Sequence, residues 1–284
     1  EIIVVDSASE DGSAAMIAQE FPQVILLAQH KNVGFPAGNN IGLATATGDY
    51  LFLLNPDTEI VGNALQTLLT YLDQHPKVGM VAPQLLNSDG SHQSTRRRFP
   101  TVLTGMVEST WLQPYAPKQI LAHYYVADVK DGDSAEIDWA MGAALLTRRS
   151  VYEQVGGMDA AYVMYSEELD WCRRIKAVGW QIIYLPTAKI THHSGKSSEQ
   201  AITHRHINFN RAKLRYFRKY HGWLAYQFLR WLLLLSYAHQ IKLEFLKALL
   251  GHKRDLRKQR ITVYQQVLRS GLTAAGYERR RHIE

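Results

Sequence analysis

Short apolar runs alternate with helix-like segments along the first part of the chain. Four runs have the length of a strand and are bounded by polar or turn-forming residues: 1–6 (EIIVVD), 23–28 (QVILLA), 50–55 (YLFLLN) and 180–186 (WQIIYLP). Polar turns or helical spacing of apolar residues predict three helices at 13–20, 35–47 and 64–73. Strands that alternate with helices indicate right-handed crossovers and a mostly parallel sheet. The pattern therefore predicts an α/β fold.

The third run ends in an unusual way, because a proline and a carboxylate follow it directly. Pro56 cannot donate a ladder hydrogen bond, so we expect the strand to stop at Asn55. Asp57 is then predicted to lie on an exposed tip just beyond the carboxyl end of the strand. Open α/β sheets bind their ligands at this edge, which makes Asp57 a candidate functional residue.

Charge divides the chain near residue 200. Residues 201–260 contain fourteen Lys and Arg against only Glu244 and Asp255, a net charge of +12 in a chain whose total is +6. We therefore predict two parts, an α/β domain at 1–200 and a basic, amphipathic helical tail at 201–284. The single cysteine, Cys172, cannot form an internal disulfide, which favours a reducing compartment such as the cytosol. Because residues 1–6 already resemble the middle of a sheet, we expect the chain to be shortened at its N-terminus.

The tail contains an apolar run, 223–241 (WLAYQFLRWLLLLSYAHQI), that nearly has the length of a membrane-spanning helix. Arg230 lies at its centre and costs about 2.5–3.5 kcal/mol on membrane insertion, so we do not expect it to span. Its aromatic residues and the flanking basic groups favour peripheral docking on an anionic membrane surface, at the inner face of the cell membrane. Packing against the first domain or against a second subunit is the alternative.

Two further segments carry polar groups that suit chemistry. Glu167, Glu168 and Asp170 begin a predicted helix, where the helix dipole alone favours acidic residues; they also suit a general base beside a sugar-binding cleft. His192 and His193 follow the fourth strand, and two histidines in a loop raise the chance of a metal site.

Taken in order, these segments resemble the inverting glycosyltransferases of family 2, which have the GT-A fold. The resemblance is carried by IIVVDSASEDGS, NVGFPAGNNIG, GDYLFLLNPDTEI, GAALLTRRSVYEQVGGMDAAYVMYSEELDWCRRIKAVGW and IIYLPTAKITHHSGKSS. It covers about residues 1–200 and is strongest for the rhamnosyltransferase-like branch, which builds bacterial surface polysaccharide. The resemblance implies that the family's opening strand is absent from this chain.

The resemblance implies a donor site. NPD is similar to the family's DxD element, with Asn55 in the place of the first Asp and Asp57 in the place of the second, metal-binding one. The expected cofactor is Mg²⁺ or Mn²⁺, which neutralises the departing diphosphate of a dTDP- or UDP-linked sugar. By the same resemblance Asp6 binds the N3–H of the uracil or thymine base, and Asn32 and Asn39 line the nucleoside pocket.

The resemblance also implies the remaining site residues. His192 matches the family's HxxGxS phrase and is expected to complete the metal or diphosphate shell. Glu168 stands where the family usually has the Asp of its ED pair, and we rank it first as the base that deprotonates the acceptor hydroxyl. Because the pair here is Glu-Glu, Glu167 and Asp170 remain alternatives for this role.

Two other classes of protein, and several substrates, stay open at this point. A nucleotidyltransferase shares the α/β sheet and acidic metal ligands. A nucleic-acid-binding protein would explain the basic tail, but no recognised binding motif accompanies it, so we expect no nucleic-acid partner. Rhamnose is our first choice of donor sugar, whereas galactofuranose, mannose or an N-acetylhexosamine fit the same motifs. The acceptor is expected to be a hydroxyl of a glycan or a lipid-linked saccharide.

Overall fold

The computed structural model describes residues 1–108, 110–193, 202–251 and 253–273. These residues form two compact units. The first contains 1–99 and 125–193, and the second contains 100–124 and the described residues from 202 onward. The predicted boundary at residue 200 falls within 194–201, outside the described part of the chain. The sequence pattern did not indicate that 100–124 would belong to the second unit.

The elements follow one another along the chain as strands β1–β11 and helices α1–α9. The strands are β1 (Ile3–Asp6), β2 (Ile25–Ala28), β3 (Tyr50–Leu54), β4 (Thr58–Val61), β5 (Val78–Leu86), β6 (His92–Gln93), β7 (Arg96–Arg97), β8 (Ala135–Ile137), β9 (Trp139–Ala140), β10 (Ala144–Arg148) and β11 (Gln181–His192). The helices are α1 (Ser13–Glu20), α2 (Phe35–Thr45), α3 (Ala64–Gln74), α4 (Val102–Val107), α5 (Lys118–Tyr124), α6 (Arg149–Val155), α7 (Glu167–Ala177), α8 (Ile202–Leu249) and α9 (Arg254–Ser270).

The predicted α/β class is confirmed, with a central sheet flanked by helices and a helical C-terminal extension. The central sheet has the order β3-β10-β5-β11-β4, with β6 paired to β5 and β8 paired to β11. Among the described ladders only β1–β2 and β5–β11 are parallel. The expectation of a mostly parallel sheet is therefore wrong. Each antiparallel ladder contains at least one of β4, β6, β7, β8, β9 and β10. None of these six strands, and not β5 either, was recognised from the apolar pattern.

The fourth predicted strand is longer than the apolar run indicated. β11 passes through Pro186 and continues to His192, where it pairs with β4. Its register with β5 shifts between Leu185 and Lys189, and an irregularity of this kind accommodates a residue that cannot donate a ladder hydrogen bond. The extension matters for function because it brings His192 alongside β4. In contrast, α2 is shorter than predicted: it ends at Thr45 and not at Thr47, since Ala46 is already extended.

Helices cover both faces of the central sheet. On one face Met80 of β5 packs in a cluster with Trp171 and Cys172 of α7, and on the other Val81 packs in a cluster with Leu68 of α3. The alternation along β5 explains why this strand is almost wholly buried. Burial raises the pKa of the Cys172 thiol to about 12, so this cysteine serves packing and is unsuited to nucleophilic chemistry.

The second unit is helical in its described residues. α4 approaches α8 closely at Gly105, where a Cβ atom would lie 2.6 Å from Cζ of Phe217. A buried ion pair of 2.8 Å between Arg257 and Glu244 joins α9 to α8. α8 is kinked at Gly222, whose φ of 85° favours glycine. Within the described ranges we find no helix with the length and apolarity needed to cross a membrane.

Candidate active site

Asp57 lies in the tight connection between β3 and β4. Asn55, the first residue after β3, donates its backbone N–H to the carbonyl of Ala143 at 2.9 Å, and its own carbonyl accepts from the hydroxyl of Thr58 at 2.6 Å. β4 then returns along β11 with Thr58 opposite His192. The Asp57 side chain is 30% exposed and lies against His192 of β11, so it is more buried than the exposed tip that the sequence predicts.

His192 meets Asp57 at the end of β11. Its Nε2 atom lies 3.4 Å from Oδ1 of Asp57, and its Nδ1 atom lies 2.8 Å from Oε1 of Gln93. Because an amide oxygen can only accept, Nδ1 carries a hydrogen, and in the neutral ring Nε2 then presents a lone pair to the carboxylate. Two acceptors that face each other require a proton or a metal cation between them. The pair therefore fits a small divalent cation.

The described residues contain no group of three His, Cys, Asp or Glu side chains placed to hold a metal. The protein would thus supply two ligands at this point, Asp57 and His192. Mg²⁺ and Mn²⁺ accept a carboxylate or imidazole together with waters and phosphate oxygens, so two protein ligands suffice for a cation that is shared with a diphosphate. His193 differs from its neighbour, since its ring contacts Glu59 at 3.0 Å and Ser88 at 2.7 Å.

The residues expected to bind the nucleoside lie at the end of β1, in the loop before α2 and within α2. Asp6 ends β1 and accepts the backbone N–H of Ser9 at 3.1 Å. Asn32 accepts the N–H of Gly34 at 2.9 Å in the loop before α2, and Asn39 donates to the carbonyl of Phe35 at 2.9 Å within α2. A Cβ atom on Gly38 would lie 3.9 Å from Val5 and from Ser7, so α2 packs against the end of β1. The structure thus places these three residues in neighbouring elements.

Glu167 and Glu168 begin α7 after two strained residues. Tyr165 and Ser166 have φ values of 74° and 63°, a conformation that L-residues with side chains rarely adopt. Glu167 is only 3% exposed, and burial, reinforced by the charge of Glu168, raises its pKa to about 9. Such strain beside paired carboxylates is typical of functional sites, although packing also produces it.

Glu168 contacts the loop between β9 and β10. Burial raises its pKa, while the backbone N–H groups of Glu168, Gly142 and Leu169 act in the opposite direction. A Cβ atom on Gly142 would lie 3.5 Å from Cβ of Glu168, an ordinary contact distance, so the two residues are neighbours. The adjacent carbonyl of Ala143 accepts the hydrogen bond from Asn55. Two consecutive loop residues thereby join Glu168 to the strand end that carries Asp57.

Asp170 has a different environment from the two glutamates. It is fully buried, and its carboxylate accepts from Nε of Arg174 at 3.0 Å and from the Tyr162 hydroxyl at 3.4 Å. Arg174 in turn donates to the carbonyls of Val155 and Gly157, both at 2.6 Å. These contacts favour a structural role for Asp170. In contrast, one side-chain oxygen of each glutamate, Oε2, is buried and has no hydrogen-bond partner among the described residues.

Several residues near the site had no role in the sequence interpretation. Gln93 contacts His192, Gly142 contacts Glu168, and Asn40 exchanges two hydrogen bonds of 2.8 Å with the backbone of Met158. Asn40 lies in the asparagine-rich stretch, which was a usable signal. Gln93 lies in a polar loop sequence with no periodicity, so only the tertiary structure reveals its partner.

The sequence is similar to those of known glycosyltransferases. The sequence model described as glycosyl transferase family 2 matches residues 1–172. An N-acetylglucosaminyl-diphospho-decaprenol L-rhamnosyltransferase of Mycobacterium tuberculosis is 28% identical over 208 residues, which are 69% of this chain and 67% of the relative. Rhamnosyltransferase WbbL of Escherichia coli is 28% identical over 170 residues, which are 57% of this chain and 61% of the relative.

A solved structure is similar in fold. The mannosyltransferase PcManGT of Pyrobaculum calidifontis, in complex with GDP-Man and Mn²⁺, has a TM-score of 0.52 and 18% sequence identity. The similarity covers 98% of this chain and 77% of that one. At this level of identity the similarity supports the fold alone.

Proposed function

Because the chain belongs to glycosyl transferase family 2, we propose that it transfers rhamnose from a thymidine diphosphate donor to a hydroxyl of a glycan or lipid-linked acceptor, with inversion at the anomeric carbon. The observation that carries the proposal is the convergence of Asp57, His192 and Glu168. Asp57 and His192 face each other at 3.4 Å, and residues 142 and 143 link this pair to Glu168.

The donor half of the site is assigned to the ends of β1, α2 and β3. Asp6, Asn32 and Asn39 would bind the nucleoside, and Asp57 and His192 would hold Mg²⁺ or Mn²⁺ beside the diphosphate. When bound, such a cation neutralises the negative charge that develops on the leaving diphosphate. The donor complex of PcManGT, which contains Mn²⁺, is compatible with this assignment.

The acceptor half is assigned to Glu168. The acceptor oxygen attacks the anomeric carbon as the bond from that carbon to the diphosphate oxygen breaks, and the Glu168 carboxylate takes the hydroxyl proton. A general base is most effective when its pKa lies near the working pH, and burial raises the pKa of Glu168 in that direction. Glu167 stays the alternative base, since it is buried beside Glu168 and burial raises the pKa of both carboxyl groups.

Rhamnose is favoured over other sugars by the two rhamnosyltransferases among the relatives. The mycobacterial relative, by its name, uses a saccharide linked to a polyprenyl diphosphate, which supports a lipid-linked acceptor for this chain. The donor experiment distinguishes this donor from UDP-linked donors and from donors that carry galactofuranose, mannose or an N-acetylhexosamine.

Calorimetric titration of the protein with nucleotide sugars and with nucleoside triphosphates, each in the presence of Mn²⁺, tests the donor class. We expect heat of binding for dTDP-rhamnose and a much weaker signal for dTTP. Binding of triphosphates in preference to every nucleotide sugar would favour a nucleotidyltransferase and contradict the proposal.

We also propose that the second unit docks on the anionic inner surface of the cell membrane. After the kink at Gly222, α8 exposes Leu224, Phe228, Trp231 and Leu235, which recur at spacings of four and three residues and so share one face. Exposed apolar faces of this kind are interaction sites. Lys213 and Arg257 are buried in ion pairs with Glu108 and Glu244. The exposed basic residues of 201–260 favour an anionic partner, since a Lys or Arg near such a surface contributes ~1 kcal/mol.

A further inference from the structure

A chain of side-chain hydrogen bonds leads from a surface turn to His192. The hydroxyl of Ser91 lies 2.5 Å from Oδ1 of Asp89, and Nδ2 of Asn87 lies 2.9 Å from the Ser91 hydroxyl oxygen. Nε2 of Gln93 lies 3.0 Å from Oδ1 of Asn87, and Oε1 of Gln93 lies 2.8 Å from Nδ1 of His192. Four consecutive bonds thus connect an exposed carboxylate with the histidine that faces Asp57.

The chemistry of these groups permits only one direction of donation. The Asp89 carboxylate can only accept, so the Ser91 hydroxyl donates to it and its oxygen remains to accept from the Asn87 amide. The Asn87 oxygen then accepts from the Gln93 nitrogen, which leaves the Gln93 oxygen facing His192. Hydrogen bonds from Ser91 also lower the pKa of Asp89, which keeps this end of the chain an acceptor.

The orientation of the Gln93 amide determines the tautomer of His192. Nδ1 must carry a hydrogen in order to donate to Gln93, and the neutral ring then has its lone pair on Nε2, the atom 3.4 Å from Oδ1 of Asp57. This is the tautomer in which Nε2 can bind a metal. In metal sites a partner on the other ring nitrogen commonly fixes the tautomer and orientation of a ligating histidine in this way.

We propose that Gln93 is a positioning residue, which holds His192 in the tautomer and orientation needed to share a divalent cation with Asp57. This inference rests on the proposed function of Asp57 and His192 as metal ligands. Gln93 lies outside every segment that carried the family resemblance.

The local backbone is built to hold Gln93 in place. β6 pairs with β5, with Gln93 opposite Leu85. The connecting turn is closed by backbone hydrogen bonds from Asn87 to Ser91 at 2.8 Å and from Gly90 to Asn87 at 2.9 Å. Gly90 has a φ of 79°, which favours glycine at this corner. The turn that supplies Asn87 and Ser91 therefore also fixes the starting point of β6.

Three variants of the full chain separate the inference from simpler explanations. Gln93→Leu removes the amide that accepts from Nδ1, whereas Gln93→Glu keeps an acceptor facing His192 and serves as the conservative rescue. Ser88→Ala is the matched control, since it removes a hydrogen bond of 2.7 Å to the neighbouring His193 from the same turn. Circular dichroism and thermal melting establish that each variant is folded.

The readout is the affinity for Mn²⁺ alone, measured from the electron paramagnetic resonance signal of the free ion. We expect Gln93→Leu to weaken Mn²⁺ binding about 10–100-fold, with Gln93→Glu and Ser88→Ala within a few-fold of the wild type. Unchanged affinity in Gln93→Leu, or an equal loss in Ser88→Ala, would overturn the inference.

The proposed metal site is tested separately with His192→Ala and Asp57→Asn. If both leave Mn²⁺ affinity unchanged, the proposed function of these ligands fails; if both weaken it while Gln93→Leu does not, only the inference about Gln93 fails. Nitrogen-15 NMR spectra of the metal-free wild type show directly which ring nitrogen of His192 carries the hydrogen. This measurement does not depend on whether a Gln93 variant folds. At pH 8.5 we expect His192 to show hydrogen on Nδ1, and hydrogen on Nε2 alone would contradict the inference.

Discussion

Asp57 is the residue from which the metal assignment starts. We predict that Asp57→Asn loses metal-dependent transfer, because the amide cannot supply the negative charge that a hard divalent cation requires. The fold should persist, since the side chain is partly exposed and not part of either apolar core. Transfer rates with a nucleotide sugar, measured across a range of Mn²⁺ concentrations, provide the test.

Glu59→Gln is the control for this change. It removes the same charge two residues along the chain, from a carboxylate that contacts His193 and not His192. Activity of Asp57→Asn equal to that of the wild type, or full wild-type activity in excess chelator, would refute the assignment of Asp57.

Glu168 is the second residue whose role can be isolated. Glu168→Gln keeps the size of the side chain but cannot accept the acceptor proton, so we predict a loss of about 10²–10⁴-fold in kcat with donor binding nearly unchanged. Steady-state kinetics together with donor calorimetry measure the two quantities. If Glu167→Gln or Asp170→Asn alone produces this pattern, the base has been assigned to the wrong carboxylate.

Glu167 makes the stability of the fold depend on pH. Its pKa is about 9 in the folded state and about 4.3 in an unfolded chain, so between these values the folded state binds the additional proton. Stability from this group is full below the unfolded pKa and is lost as the pH rises toward 9. We therefore predict that Glu167→Gln is more stable than the wild type at pH 8.5, by an amount that grows between pH 5 and 9. Urea unfolding at several pH values measures the difference, and a difference independent of pH would contradict it.

The sequence identified Asp57 and His192 as candidate site residues from their residue types and their positions after apolar runs. It did not predict the contacts that surround them. Asp57 followed from a strand that ended at a proline, and the segment containing His192 followed from its place after an apolar run. The partial burial of Asp57 and the contact between Gln93 and His192 depend on β4, β6 and β11 meeting in space. No local pattern in the sequence predicts that these three strands lie together.

At the scale of elements, the two adjacent asparagines of α2 should differ in their effects. Asn40 pairs through both its amide groups with the backbone of Met158, so Asn40→Ala leaves a partly buried N–H and C=O without partners. We predict a loss of about 1–3 kcal/mol in the free energy of unfolding. Asn39→Ala is the control: among the described residues its amide bonds only to Phe35 in its own helix, so its main effect should be weaker donor binding.

Urea denaturation and donor calorimetry on both variants measure these effects. Similar losses of stability in the two variants would contradict the structural role of Asn40. Unchanged donor affinity in Asn39→Ala would count against the nucleoside assignment.

Periodicity predicted individual elements better than their pairing. The residues of α1, α3 and β3 follow directly from apolar spacing and flanking turns, because these properties are local. The mixed sheet could not be predicted in the same way, since β10 enters between β3 and β5 and pairs antiparallel with both. Pro186 suggested the end of a strand, but an irregularity in register allows β11 to continue to His192.

At the scale of the whole molecule, the chain should bind anionic vesicles at low salt and be largely released at high salt, because screening weakens the attraction of exposed basic groups. Neutral vesicles should bind less. Sedimentation with vesicles of each composition measures the bound fraction. We expect Phe228→Ser combined with Trp231→Ser to lower recovery on anionic vesicles, since both side chains are exposed on α8.

Tyr115→Ser is the matched control, because it removes an exposed aromatic side chain from the same unit but from outside α8. Equal recovery on neutral and anionic vesicles, or none on either, would refute docking on the membrane. Concentration-dependent self-association that the α8 substitutions abolish, without vesicle binding, would identify a second copy as the partner of this face.

The composition of the tail predicted its basic and helical character, because charge and helical spacing are properties of the segment alone. It did not predict that residues 100–124 join the second unit, since that depends on contacts such as the one between Gly105 and Phe217. The donor sugar and the acceptor also depend on residues from distant parts of the chain. They are therefore identified by a direct assay of the reaction.

The central claim is transfer of a sugar from a nucleotide donor with Mn²⁺ or Mg²⁺ bound at Asp57 and His192. The most direct test is to incubate the full chain with radiolabelled dTDP-rhamnose, Mn²⁺ and a polyprenyl-diphosphate-linked N-acetylglucosamine acceptor, and to count label in the lipid phase. We predict transfer that chelator abolishes and Mn²⁺ restores, and none in Asp57→Asn. Label that stays with the nucleotide for every donor sugar tested, or transfer that is equal with and without chelator, would contradict the claim.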